Sequence, residues 1–289
     1  MPIAFLGSLR TDNYHGRPAA FSRASTSLPL PTALLQREVV GDSMTLIEQR
    51  LLLALLYLGW EALPFPRQAV EVAGAEIREA IGHCGAESNA ALRAGFERLA
   101  ARTLRIADPL DPRFPIESPV LTAWSYCRQA AGFRWIIGDA VADWCAESFT
   151  YARLDLSIVA ALRLPTAIRL YEVCCALAPR VHAMKTIEID EFRSLFDCGA
   201  KYAKFSEFDS RVVKPAVNEV NAKSPYSLTC TWSSSRRGRR KPDRVQLSVQ
   251  AKASPVVPPR IQTRPMQPSE FLQATQCACC LPIPASGDR

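Results

Sequence analysis

A chain of 289 residues with 48% hydrophobic content is long enough for two domains and has the apolar material for real cores. Its net charge of +7 points to a polyanionic partner, and its longest apolar run, Leu51 to Trp60, is far short of the ~20 residues a bilayer crossing needs. Ten cysteines without a regular framework, and no signal-type segment before them, lead to the expectation of reduced thiols and a cytoplasmic location.

Residues 1–40 are rich in Pro, Ser, Thr and Arg and are expected to be disordered, with a docking point at LPLPTALL. Thr45 and Glu48 form a capping box for the helix LIEQRLLLALLYLGW. That helix is apolar on nearly every side, which places it in a core first and then at a subunit interface. Leu51, Leu52 and Leu55 mark the first domain as the site of self-association. AEIREAIGHC and ESNAALRAGFERLAART follow as helices, stopped and spaced by Gly82 or Gly85, then LRIAD as a strand and DPLDPRFPIESP as a Pro-rich loop. VLTAWSYCRQ and GFRWIIG form a hairpin turning near Ala131 and Gly132. The second half repeats the order. Helices lead to and follow Pro165, TIEIDEFRSLFDCG is a strand and a helix, and Ile77 corresponds to Phe192 at an offset of 115.

The second half ends in the stretch where the charge lies. Residues 201–250 hold 11 Lys and Arg and 4 acids, so they carry 11 − 4 = +7, and the remaining 24 bases balance 24 acids. From Ser206 to Asn221, Phe208, Val212, Pro215, Ala216 and Val220 recur at helical spacing. The other face presents Ser210, Arg211, Lys214, Asn218 and Asn221, side chains that reach phosphates and base edges in a major groove. Lys201 and Lys204 stand just before it. Pro225 breaks this helix, and two alternating strands around Leu228 to Trp232 and Val245 to Val249 enclose a tip carrying Arg236, Arg237, Arg239, Arg240, Lys241 and Arg244. A helix of this kind followed by a basic hairpin has the outline of a winged helix on DNA. The fold class is therefore α+β: two tandem winged-helix domains, mainly helical with small β-hairpin wings. The expected division is 1–40 disordered, 41–150 the first winged helix with dimerisation and auxiliary DNA contact, 151–250 the main DNA-binding winged helix, and 251–289 a disordered tail.

LRLPTAIRLYE at 162–172, the following IEIDEFRSLF, and KFSEFDSRVVKPAVNEVN at 204–221 resemble the iteron-binding plasmid replication initiators. Phe208, Arg211, Val212, Pro215, Ala216, Glu219, Val220 and Asn221 stand at the positions of that family's helix motif, with Val220 in place of the usual isoleucine. The resemblance covers about residues 40–250 and is specific over 150–250. It implies tandem winged helices, binding to repeated double-stranded origin sites, a homodimer in equilibrium with monomer, repression of its own gene, a part in copy-number control, and contact with host replication proteins.

Enzymatic chemistry has little to stand on. His15, His83 and His182 are far apart with no partnering pattern, and the glycines form no phosphate or dinucleotide fingerprint. Cys277, Cys279 and Cys280 supply three thiolates without a fourth ligand, against the four that structural zinc takes. The expectation is a non-enzyme with no cofactor and no metal. A winged-helix transcription regulator without a replication role shares every physical feature used so far. An RNA-binding protein is disfavoured, because Tyr202, Phe205 and Phe208 are spaced as a helix entry and its core rather than as a stacking platform.

Overall fold

The computed structural model describes residues 26–253 except 64, 66, 83–88, 107–113, 149, 181, 199–200 and 235–241. The expected disorder of 1–25 and of the tail from 254 lies outside the described residues, as do Cys84, Cys277, Cys279 and Cys280. Residues 26–39 correct the expectation of an unstructured start. They form strand β1 (Ser27–Pro31), a 3-10 turn (Thr32–Gln36) and the short strand β2 (Glu38–Val39). Leu28, Leu30, Leu34 and Leu35 are buried in the main core, so the LPLPTALL run is held by four apolar side chains despite its prolines.

Helix α1 (Leu46–Leu58) starts at the anticipated capping box: the Thr45 hydroxyl accepts from the Glu48 N–H, and Glu48 Oε2 accepts from the Thr45 N–H at 2.7 Å. Glu48 is buried, and Arg102 donates to it at 3.3 Å. Burial alone would raise its pKa, but the Thr45 hydrogen bonds and Arg102 hold the carboxyl below its ordinary value. Leu51, Leu52 and Leu55 are fully enclosed within this chain. They cannot form a dimer surface as the sequence suggested, because the surplus apolar face of α1 is covered by other parts of the same molecule.

Strand β3 (Val70–Ala73), helices α2 (Gly74–Ala80) and α3 (Asn89–Ala100), and strands β4 (Thr103–Ile106), β5 (Ile116–Pro119), β6 (Leu121–Cys127) and β7 (Gly132–Ile137) follow. Gly82 ends α2 with φ +75°, and a Cβ there would lie 2.3 Å from that of Ala160, so position 82 needs glycine for both conformation and space. β5 lies in the stretch expected to be a Pro-rich loop. It pairs with β4 on the outer edge of the sheet β2-β4-β5, where Pro119 at the strand end is tolerated. A second sheet has the order β3-β7-β6, with β6 and β7 joined as the expected hairpin.

Helix α4 (Asp139–Glu147) and strand β8 (Tyr151–Asp155) lead into α5 (Leu156–Ala161), α6 (Pro165–Leu177), β9 (Met184–Glu188) and α7 (Ile189–Ser194). A continuous helix comes next: α8 (Phe205–Phe208), a π-turn (Asp209–Val213) and α9 (Lys214–Lys223). Strands β10 (Tyr226–Ser233) and β11 (Arg244–Ala251) close the chain in a sheet of order β10-β11-β9. The strand–helix–helix–hairpin order thus occurs twice, with β4 and β5 inserted before the hairpin in the first half, and each time the last hairpin strand pairs with the first strand. α2 and α7 begin at 74 and 189, a separation of 189 − 74 = 115.

The two halves interlock. β1 pairs antiparallel with β8, Leu28 opposite Leu154. Arg50 of α1 is buried and donates to the carbonyls of Ala160 at 2.7 Å and Leu162 at 2.6 Å, at the C-terminal end of α5 where a cation is favoured. Six described cysteines are free thiols. Burial pushes Cys175 and Cys230 up to about 12, which leaves them as small apolar fillers.

Candidate nucleic-acid interface

The helix from Phe205 to Lys223 is fixed to its surroundings by one face. Phe208, Val212, Val213, Ala216 and Val220 are buried. Phe208 meets Phe192 edge-on at 6.1 Å and Phe196 at 6.0 Å, and Arg193 lies over its other side at 4.7 Å. The opposite face is open: Ser206, Ser210, Arg211, Lys214 and Asn218 are exposed, as are Lys201 and Lys204 before it.

Pro215 explains why the helix departs from α geometry. It has no N–H for the carbonyl of Arg211, and its ring crowds that carbonyl. The chain relaxes by inserting one residue into the preceding turn, so that the Lys214 N–H bonds to the carbonyl of Asp209, five residues back. Val212 and Val213 can therefore both be buried although they are adjacent. The distortion takes the form of a π-turn on the proline's N-terminal side.

Asp209 is the first residue of this distortion. Its Oδ1 accepts from the Trp232 indole N–H at 3.1 Å, and its Oδ2 pairs with Lys214 Nζ at 3.0 Å. Trp232 is on β10 and packs edge-on against Phe192 at 5.9 Å and Phe205 at 4.9 Å. One carboxylate thus joins the helix, its exposed lysine and the hairpin. Sequence reasoning used Asp209 only as an acid in the charge balance. The signal was present in the adjacent valines and the proline that follows them.

Asn221 does not belong with the exposed face. Its side-chain amide donates to the Leu228 carbonyl at 3.0 Å and accepts from the Leu228 N–H at 2.6 Å, so both ends fasten α9 to β10. Its neighbour Glu219 accepts from the backbone N–H groups of Arg163 at 2.7 Å and Leu164 at 2.9 Å, capping the start of α6. Two of the three sequence runs that resemble the initiators, 162–172 and 204–221, are therefore partners in the fold. Further along α6, Glu172 is enclosed between Arg37 at 2.8 Å and Arg169 at 2.6 Å, and Arg169 also donates to the carbonyls of Leu35, Arg37 and Leu195. Burial and the nearby Arg37 lower the pKa of Arg169, while Glu172 favours its charged form. Asp197 completes the group by accepting from the Val39 N–H at 3.3 Å; burial pushes its carboxyl up, against the pull of Arg169.

In the hairpin, Arg244 pairs with Glu188 of β9 at 3.0 Å with both side chains exposed. Arg236, Arg237, Arg239, Arg240 and Lys241 lie outside the described residues. In the first half the corresponding helix, α3, exposes Arg93, Glu97 and Arg98. Arg93 lies over the Tyr126 ring at 5.5 Å and Arg98 reaches Glu48 at 3.7 Å. Among the described residues, no cluster of His, Cys, Asp or Glu is placed to hold a metal ion, and no helix is long and apolar enough to cross a membrane.

A helix with one buried and one cationic face, seated on a three-stranded sheet in which β10 and β11 pair antiparallel, defines the winged-helix class. The chain is similar in fold to the crystal structure of Pi initiator protein in complex with iteron DNA, at 11% identity and a TM-score of 0.61, over 81% of this chain and 100% of that one. Domains 2 and 3 of RctB are also similar, at 12% identity and a TM-score of 0.44, over 75% of this chain and 86% of that one. No curated protein matches the sequence significantly. Residues 188–249 match the family described as initiator Rep protein, WH2. The matched segment takes in α7, the cationic helix, β10 and most of β11, and reaches β9 only at Glu188.

Proposed function

We propose that this protein is a plasmid replication initiator that binds repeated double-stranded sites at its origin and starts DNA replication. The observation that carries the reading is the exposed Ser210, Arg211, Lys214 and Asn218 face, lying inside the segment that matches the initiator Rep winged helix. The chain works as two tandem winged-helix domains, 41–150 and 151–250, the repeated strand order and the 115-residue separation supporting that division. The iteron DNA held by the structurally similar Pi initiator is the class of target assigned here.

The chemistry follows from the side chains. Arg211 can donate bidentately to a guanine edge, and Asn218 can pair with an adenine edge, each worth roughly 1–3 kcal/mol of discrimination. Lys201, Lys204 and the cations at 236–241 neutralise phosphates and release counterions, which gives affinity without sequence choice. Arg244, paired with Glu188, supports the hairpin base before it meets DNA. The protein acts by binding rather than catalysis, in the cytoplasm, and its binding near its own promoter represses its own gene. A homodimer exchanging with monomer, using a surface other than the enclosed α1 leucines, and recruitment of host replication proteins complete the reading.

Footprinting of the purified protein on the DNA upstream of its gene tests the proposal. Regularly spaced protections one or more helical turns apart are expected. A single protected promoter site, together with failure to support replication of a plasmid carrying that DNA, assigns the chain to transcription regulators instead.

A further inference from the structure

We propose that Asp209 is a positioning residue that converts Lys214 from a general phosphate contact into a specificity contact. The inference rests on the DNA-binding reading of this helix and goes beyond it. In a regular α-helix, residues five apart are separated by about 140° around the axis and do not meet. The π-turn places Asp209 and Lys214 one turn apart on the same side, and the pair closes at 3.0 Å. Asp209 is only 14% exposed while the Lys214 side chain is 69% exposed, so the carboxylate is the fixed member and the lysine the held one.

The other carboxylate oxygen accepts from Trp232, which keeps Asp209 in place and ties it to the hairpin. A free lysine is a flexible point charge that any phosphate can capture. Held by Asp209, its ammonium sits at a set place over the helix with donors left for a base acceptor. A phosphate approaching it also meets the negative charge of Asp209. The arrangement therefore penalises contact with arbitrary backbone and leaves contact with a base edge in the correct register.

The test uses the full chain and a duplex recovered by selection from a random-sequence pool, with a scrambled duplex for comparison. Asp209→Asn keeps an acceptor for Trp232 but removes the charge that holds Lys214. The ratio of selected to scrambled affinity should fall about fivefold or more. The salt slope for scrambled DNA should steepen by about 0.9, the signature of one added phosphate contact. In a Lys214→Met background, Asp209→Asn should alter neither quantity. Unchanged ratio and slope in the single variant overturn the inference, as do the same changes in the Lys214→Met background. A wild-type protein for which selection enriches no duplex overturns the DNA-reading proposal itself, a result independent of the Asp209 variants.

Discussion

The two strand–helix–helix–hairpin units differ in where their charge goes. In the first, α3 is a regular helix whose Phe96 stacks on Phe133 at 4.8 Å and on Trp124 at 5.4 Å. Its exposed arginines are committed, Arg93 to an aromatic ring and Arg98 to Glu48. In the second, Phe208, Phe192 and Trp232 build the equivalent aromatic seat, but the helix above it is re-registered by a π-turn and keeps Arg211 and Lys214 at the surface. Under the proposed DNA-binding role, a common scaffold does not by itself decide which unit reads DNA, and the decision falls to the few exposed positions left after the aromatic seat is satisfied.

The largest effect should test the common part. Phe208→Ala and Phe96→Ala should each cost about 3–5 kcal/mol in chemical denaturation, as expected for a buried aromatic. A loss below ~1 kcal/mol in either would show that the two seats are not equivalent. Next comes the asymmetry. Arg211→Ala should lose roughly 1–3 kcal/mol of discrimination between selected and scrambled duplexes in competition binding, and an unchanged ratio with both affinities reduced would make Arg211 a backbone contact. Neutralising Arg239 and Arg240 together should weaken binding to every duplex alike and flatten the salt slope by about 1.8, and an unchanged slope would remove the wing from the interface. Arg93→Ala is the mildest. It should change DNA affinity by under ~0.5 kcal/mol, and a larger loss would give the first unit a reading role of its own.

Much of this was legible in the sequence. The capping box, the helix around Phe208 and both hairpins follow from local rules: a side chain next to its backbone partner, a 3.6 or 2 residue period, a turn residue. Glu219 and Asn221 were not legible as ties. Their partners, the N–H groups of Arg163 and Leu164 and the backbone of Leu228, are set by tertiary packing, and an acid or an amide on a helix looks the same whether it faces solvent or another chain segment. The same holds for Arg37, Arg169 and Glu172, whose pairing joins positions 135 residues apart. β1 was missed because prolines at 29 and 31 read as disorder, although a strand used on one side only tolerates them.

The pairing of β1 with β8 also sets a timetable. Thr26 and Asp155, which hydrogen-bond at 3.0 Å, are 129 residues apart. At a synthesis rate of ~5–20 residues per second, β1 waits roughly 6–26 s before its partner strand leaves the ribosome. During that interval Leu28 and Leu30 have no strand beside them, and the first half of the chain stays unfinished until the second has begun. A fragment ended at residue 150 would keep that unfinished state permanently, whereas one ended after Asp155 would carry the strand that closes it.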